Sequence, residues 1–355
     1  MSFYNTRLAF LYRQLFLYPS KPPSSLSLDG QAGMVTGANT GLGYHACLQL
    51  LELGLPRLIL AVRNKDKGES AQKALLASAS VPKSNPPTVE VWELDLASYS
   101  SITAFVERLK HSGIRLDFAI LNAGVANFKF EQIASTGHET CIQVNWLSTA
   151  LLTLLLMPIL DQQAAANTNP NRPRPVLSIV GSEAAGWAKF KEAQIAAKQG
   201  TSLTKALNTE HTSNMGMGER YATSKLLYQL FFLELMQNHR SSNLRGSRAV
   251  LNIVNPGLCY GSELLRGVDG IAGKIVGVLR RVVGRSASMG ARTIVHAAVL
   301  AGDSSDGLYL SDNRPAPFAG YGDSPSGRVT RGKVWDETVA ELSKVVDMRK
   351  LLSEI

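Results

Sequence analysis

The stretch Thr36-Gly37-Ala38-Asn39-Thr40-Gly41-Leu42-Gly43 decides how this chain folds. A short apolar run at 33–36 leads into it and a periodic segment at 41–53 follows it, which predicts a strand, a tight turn and a helix. Glycines in such a turn let the backbone approach a pyrophosphate, and the helix N-terminus offers free N–H groups to the anion. Glycine is also common in purely structural turns, but this context favours a dinucleotide-binding turn.

The same alternation continues along most of the chain. Apolar runs typical of strands occur at 33–36, 58–62, 89–94, 118–121, 176–180 and 250–254, and periodic segments typical of helices at 41–53, 67–79, 100–110, 140–156 and 221–238. Strands that alternate with helices imply right-handed βαβ units, and strands that are apolar throughout imply a sheet covered on both faces. The sequence therefore predicts an α/β fold with a Rossmann-type, doubly wound parallel sheet.

Composition and charge narrow the class of protein. Hydrophobic residues make up 45% of the 355 positions, which is enough for a large buried core. The net charge is +9, but the Lys and Arg residues are scattered and accompany no nucleic-acid motif, so we expect no nucleic-acid partner. Cys47, Cys141 and Cys259 are too far apart for a disulfide framework or a metal site, which fits a cytoplasmic setting. The apolar stretch 146–160 contains Pro158 and indicates a buried core helix rather than a membrane span.

The two ends of the chain differ from its centre. Residues 1–30 form an apolar arm with a Pro- and Ser-rich linker, residues 31–310 form the main domain, and residues 311–355 form a C-terminal extension. Arg7 and Arg13 interrupt the arm, which argues against a signal peptide. The arm is compatible with a membrane-surface helix. Because it is short and weakly basic, we favour packing against the body or against a partner subunit of a homo-oligomer, with membrane contact peripheral at most.

The end of the second predicted strand indicates which dinucleotide binds. A site that prefers NAD usually has an acidic residue there, which holds the ribose 2′-hydroxyl. This chain has Arg63 instead, with Lys65 and Lys67 close by. An arginine can pair with a 2′-phosphate through its planar donor fork, so we expect NADP(H). The structural alternative is an ordinary solvated arginine at a strand end.

Tyr221 and Lys225 are the candidate acid/base pair. Both lie on one predicted helix, and their i, i+4 spacing puts them on the same face. A free tyrosine has a pKa of about 10, and a neighbouring ammonium favours the phenolate and lowers that pKa. Such pairs arise on many helix surfaces, but a position downstream of a glycine-rich turn makes this one specific.

With these motifs in this order, the chain resembles the short-chain dehydrogenase/reductase family and is similar to its fungal and retinol-dehydrogenase-like members, from about residue 30 to about residue 310. The resemblance implies a catalytic set of Asn145, Ser182, Tyr221 and Lys225. It implies a cofactor-binding set of Gly37, Asn39, Thr40, Gly41, Leu42, Gly43, Arg63, Asp95, Leu96, Asn122, Ala123, Gly124, Tyr221, Lys225, Pro256, Gly257 and Ser262.

The chemistry implied by the resemblance is the reversible reduction of a ketone or aldehyde to an alcohol with NADP(H), in secondary metabolism. Tyr221 would protonate the carbonyl oxygen and Ser182 would donate a hydrogen bond to it. Lys225 would lower the tyrosine pKa and bind the ribose, while Asn145 would hold a proton-relay water and Asp95 would contact the adenine. Each residue also has a structural alternative: Asn122 and Asn145 could bond to backbone, Asp95 could cap a helix, and Ser182 could cap a turn.

Two departures from the family pattern concern the substrate. An insertion lies at about 187–217, and Ser262 stands, shifted by one position, where the family has a threonine. We expect lid segments at about 187–217 and 262–286 over a large, apolar substrate. Polar substitutions at Ile275 and Leu279 should then raise KM for bulky ketones; the alternative is a helix simply packed on the body.

Two other functions fit the same fold. One is a non-redox isomerase or cyclase, and the other is a cofactor-binding regulatory protein, since a fold does not fix a chemistry. The intact Ser182, Tyr221 and Lys225 argue against both.

Overall fold

A mostly parallel sheet with helices on both faces forms the centre of the molecule. The computed structural model describes residues 3–78, 80–81, 83, 85–127, 129–169, 172–210, 217–240, 248–261 and 281–355. The strands are β1 (Ala32–Thr36), β2 (Arg57–Val62), β3 (Thr88–Glu93), β4 (Phe118–Leu121), β5 (Val176–Val180), β6 (Val250–Asn255), β7 (Cys259–Tyr260), β8 (Arg285–Ser286), β9 (Tyr309–Ser311) and β10 (Arg314–Ala316). Within the described ranges, eight of them form one sheet in the order β10-β9-β6-β5-β4-β1-β2-β3, and β7 pairs with β8.

Helices connect these strands and cover the sheet. They are α1 (Arg7–Phe16), α2 (Gly41–Glu52), α3 (Lys65–Ala77), α4 (Tyr99–His111), α5 (Thr140–Ala165), α6 (Lys191–Gln199), α7 (Leu203–Leu207), α8 (Met217–Glu234), α9 (Ala287–Val299), α10 (Pro325–Leu342) and α11 (Met348–Ser353). Short 3-10 turns lie at Phe3–Asn5, Glu183–Trp187 and Gly302–Ser305. The predicted doubly wound α/β fold is confirmed, because all six predicted strands pair in parallel.

The last sheet strands were not predicted from the sequence. β9 pairs in parallel with β6, and β10 folds back antiparallel on β9. Asp312 and Asn313, with φ of 54° and 61°, form the two-residue turn between them. Both are residue types that tolerate this left-handed region, as the tight hairpin turn requires. The sheet therefore continues beyond residue 310, where the sequence had suggested that the main domain ends.

Alternating strand residues build two separate apolar layers. In β1, Met34 packs into one cluster with Trp92 and Trp146, while Val35 packs into the other with Ile294. This alternation is what a sheet covered on both faces requires. α5 is long and apolar enough to cross a membrane by length and composition, but 89% of its apolar 18-residue window is buried inside the fold. It is a core helix, as the sequence indicated.

Both ends of the chain pack on this single unit. In α10, Trp335 stacks on Phe231 of α8 with ring centroids 5.4 Å apart. At the other end, Thr6 caps α1 by accepting the N–H of Ala9, and Ala9 is buried. The arm and the C-terminal segment thus share the core of the main domain.

Candidate active site

The glycine-rich turn is as tight as its sequence requires. Gly37 has φ +64°, and a Cβ there would lie 3.1 Å from the Cα of Ala123. A Cβ on Gly43 would overlap the carbonyl oxygen of Gly37 and lie 2.6 Å from Asn122 Nδ2. The Asn122 amide donates to the carbonyls of Thr36 (2.9 Å) and Gly37 (3.3 Å), so it ties the turn to the end of β4. Side chains at either glycine would force this turn apart.

The N-terminus of α2 is prepared for an anion. Among the described helices, α3, α4 and α9 are capped by the side chains of Asn64, Ser98 and Ser286, whereas Thr40 makes no such bond at α2 in the described structure. The first N–H groups of α2 therefore retain their hydrogen-bonding capacity beside an open cleft. A diphosphate matches both these donors and the helix dipole.

This cleft has a volume of about 720 Å³. It runs past the carboxyl ends of the central strands, where doubly wound sheets bind ligands. Most of the expected residues border it: Gly37, Asn39, Thr40, Gly41, Leu42, Arg63, Asp95, Leu96, Asn122, Ala123, Gly124, Ser182, Tyr221, Lys225, Pro256 and Gly257. The size and the donor set fit an extended nicotinamide dinucleotide.

Two cations stand at the far end of the cleft, after β2. Arg63 and Lys67 border it and are exposed to solvent. Lys65 lies outside the lining and is 3.9 Å from Glu69, one turn further along α3. The sequence named all three cations, and the structure directs two of them to the cleft.

Asp95 does not cap the helix that follows it. Its Oδ1 accepts the N–H of Ala97 at 2.9 Å, and Ser98 is the residue that caps α4, accepting the N–H of Ser101. The helix-capping alternative for Asp95 is therefore wrong. The carboxylate shapes the turn at the cleft edge.

Ser182, Tyr221 and Lys225 lie together on the opposite side of the cleft. Ser182 follows β5 and hydrogen-bonds to the Tyr221 hydroxyl, while its Oγ also accepts the N–H of Ala184 at 3.2 Å. Lys225 Nζ donates to the carbonyl of Val180 at 2.9 Å and lies 5.9 Å from the Tyr221 ring centroid. The turn-capping role suggested for Ser182 exists, and it coexists with the contact to the tyrosine.

Burial controls the ionisation of this pair. It raises the pKa of Tyr221 to about 12, although the hydrogen bond from Ser182 opposes the shift, and it lowers the pKa of Lys225 to about 8. In the protein without ligand the tyrosine pKa therefore lies above its ordinary value, so the expected net lowering of that pKa does not occur. Removal from water is the largest cause of both shifts, since it disfavours the charged form of each group. Tyr221 consequently keeps its proton at neutral pH.

Asn145 lies behind the cleft rather than in it. α5 widens into a π turn at Gln143–Ser148, a feature frequent at functional sites, which the sequence did not predict. There the Asn145 side chain accepts the N–H of Val125 at 2.9 Å, and it donates to the Val125 carbonyl (2.8 Å) and to Ser224 (2.9 Å). Both amide protons are engaged, so Asn145 positions the loop after β4. Asn145 therefore does hydrogen-bond to backbone, which was its structural alternative.

Of the two expected lid segments, the structure describes residues 187–210 and 217 of the first, and residues 281–286 of the second. Ser262, Ile275 and Leu279 lie outside the described residues. Of the described part of the 187–217 insertion, Trp187 borders the cleft. α7 instead packs into the core beside α10, where Glu337 accepts N–H groups at its N-terminus.

The N-terminal arm contributes to the cleft, which was not predicted from the sequence. Phe10 of α1 borders the cleft and packs edge-on against Trp187, with ring centroids 4.9 Å apart. Arg13, one turn later, is buried in an ion pair with Glu183. The hydrophobic pattern could not have found this contact, because the buried face carries Arg13 and Gln14 while Phe16 is exposed.

Comparisons with known proteins agree with this geometry. A family model described as short chain dehydrogenase matches residues 31–168. Short-chain dehydrogenase fogG of Aspergillus ruber is 39% identical over 342 residues, covering 95% of this chain and 92% of that protein. Short chain dehydrogenase virL of Hypocrea virens is 35% identical, covering 97% and 94%. Among solved structures, the Pseudomonas aeruginosa RhlG/NADP active-site complex has a TM-score of 0.56 at 21% identity, covering 82% of this chain and 97% of that one.

Proposed function

This chain belongs to the short-chain dehydrogenase/reductase family, and on that premise we propose that it is an NADP(H)-dependent oxidoreductase that interconverts a ketone or aldehyde and an alcohol. The observation that carries the proposal is that Ser182, Tyr221 and Lys225 border one cleft together with the glycine-rich turn. The Ser182 and Tyr221 hydroxyls can meet one carbonyl oxygen. An isomerase or a regulatory protein has no need of this complete set.

Each side chain has a separate task in carbonyl reduction. The bound cofactor supplies the hydride. Tyr221, protonated at neutral pH, donates its proton to the carbonyl oxygen, and Ser182 holds that oxygen in place by a hydrogen bond. Lys225, anchored on Val180, lies close enough to stabilise the phenolate that remains. Asn145 acts indirectly, by holding the loop after β4.

The choice of NADP(H) rests on the cations after β2. Arg63 and Lys67 both border the cleft where the ribose 2′-phosphate would lie, and a bidentate guanidinium suits that group. The RhlG structure, which shares this fold, is described as a complex with NADP.

The substrate proposed is bulky and apolar. Beside Ser182 and Tyr221 the cleft is bordered by apolar side chains, Phe10, Val125, Trp187 and Leu258 among them. Such walls exclude water from the reacting carbonyl. We place the reaction in secondary metabolism, a proposal supported by the fungal origin of the two relatives.

A direct assay tests this function. The purified full-length protein is mixed with NADPH or NADH and a panel of ketones, from acetone to polycyclic compounds, and the reduced-nicotinamide absorbance is followed. We expect oxidation of NADPH with bulky apolar ketones and much less with NADH or acetone. A product formed without a change in absorbance would identify an isomerase or cyclase. Cofactor binding without any product would identify a regulatory protein.

A further inference from the structure

The N-terminal helix reaches the cleft from outside the dinucleotide-binding fold. α1 precedes β1 in the chain, yet Phe10 borders the cleft and contacts Trp187 of the 3-10 turn that follows Ser182. The two rings meet edge to face, with an interplanar angle of 85°. Both are half-buried, so each leaves part of its surface to a ligand.

A buried ion pair fixes α1 beside the serine. Arg13 and Glu183 are both almost fully enclosed, and Glu183 is the residue directly after Ser182. Glu183 is held in turn by Asn255, whose Nδ2 donates to Oε2 at 3.4 Å and whose Oδ1 accepts the Glu183 N–H at 3.2 Å. Separating a buried ion pair leaves an uncompensated charge in the interior. Movement of α1 away from the cleft is therefore energetically unfavourable.

A second contact fixes α1 to the loop after β6. Gln14 donates to the Leu258 carbonyl at 3.0 Å and accepts the Leu258 N–H at 3.2 Å. Gly257, at φ +77°, makes room for it, since a Cβ there would overlap the Gln14 amide oxygen. Two loops that border the cleft are therefore held by one helix.

We propose that α1 is part of the substrate site, and that Phe10 with Trp187 selects carbonyl substrates that carry an aromatic ring. The Arg13–Glu183 pair is the positioning element of this wall. Ring pairs prefer offset or edge-to-face contacts, and a third ring can join two that are already in contact and both border the cleft. A saturated ring of the same size gains apolar burial only. The inference rests on the proposed function and specifies its substrate class.

The test compares two ketones on the same bicyclic carbon skeleton, 1-tetralone with one aromatic ring and 1-decalone with none. Binding to the full-length protein with NADP⁺ present is measured by calorimetry, which requires no turnover. We expect the wild-type protein to bind 1-tetralone about tenfold more tightly, equivalent to ~1.4 kcal/mol. Phe10→Ala should remove most of this preference by weakening 1-tetralone binding. Phe10→Leu, which keeps an apolar side chain and is less disruptive, should do the same.

Phe16→Ala is the matched control, since Phe16 lies on the same helix and is 64% exposed. It should leave both affinities unchanged. Equal binding of the two ketones by the wild-type protein, or an equal loss of both in Phe10→Ala and Phe10→Leu, would overturn the inference. A clear preference for 1-tetralone with no NADPH turnover on any ketone would support the aromatic wall and reject the reductase, so the two failures remain distinct.

Discussion

The side-chain nitrogen of Lys225 donates a hydrogen bond to the backbone carbonyl of Val180, with 2.9 Å between Nζ and the oxygen. Val180 ends β5 and stands two positions before Ser182, while Lys225 lies one turn after Tyr221 on α8. This single bond therefore ties the helix that carries the acid to the strand that delivers the serine. Loss of the Lys225 ammonium group would remove this tie between the helix and the strand.

Removal of one hydroxyl tests the role of Tyr221. Tyr221→Phe should lower kcat/KM for carbonyl reduction by about 10²–10⁴, the usual contribution of a general acid. NADPH affinity should change little, because the ring and Lys225 remain. Turnover and cofactor affinity are measured separately, by absorbance and by fluorescence titration. A variant that keeps its rate within about tenfold of wild type would show that the proton comes from elsewhere.

The depressed pKa of Lys225 predicts a pH-dependent stability. Between about 8 and the ordinary value of 10.5, the folded protein has released a proton that the unfolded chain still binds. Stability rises with pH wherever the unfolded state binds more protons. Relative to Lys225→Met, the wild-type protein should therefore gain about 2 kcal/mol between pH 7.5 and 9.5. Urea unfolding without ligand measures this, and a constant difference would indicate that Lys225 titrates normally.

Cofactor preference can be tested with two charge changes on neighbouring residues. Arg63→Asp should weaken NADPH binding by about ten- to a hundredfold, since a hydrogen bond to a charged group contributes roughly 1.5–3 kcal/mol. NADH binding should hardly fall, because it has no 2′-phosphate. Lys65→Asp makes the same kind of change outside the cleft lining and should alter both affinities less than about threefold, as expected for a screened surface charge. If Arg63→Asp weakens NADPH and NADH binding equally, Arg63 does not bind the 2′-phosphate.

The buried pair between α1 and the Ser182 loop predicts a large stability effect. Arg13→Met should cost about 3–5 kcal/mol, because Glu183 would be left buried and uncompensated. Arg7→Met, at an exposed position of the same helix, should cost within about 0.5 kcal/mol. Denaturant unfolding of these two and of the double variant Arg13→Met/Glu183→Met checks the reason. The double variant should be more stable than Arg13→Met alone, because it no longer buries an unpaired charge. If its loss of stability equals the losses of the two single variants added together, charge burial is not the cause.

Much of the site could be read from local sequence because its signals are local. The order of apolar runs and periodic segments predicted the sheet, and a turn needing glycine at Gly37 and Gly43 is recognisable without tertiary information. β9 and β10 escaped notice because three-residue strands carry too little periodicity. The π turn around Asn145 leaves no sequence pattern of its own, since it changes a helix by one residue.

The amino-acid sequence by itself determined the doubly wound fold, the glycine turn and the helical spacing of Tyr221 and Lys225. These depend on backbone sterics and on periodicities of a few residues. Only the tertiary structure decided that Arg13 meets Glu183, 170 positions along the chain, and that burial raises the pKa of Tyr221 and lowers that of Lys225. Ion pairs between distant segments and the desolvation of a side chain depend on all the residues packed around them. These residues come from many parts of the chain, so a local stretch of sequence does not reveal them.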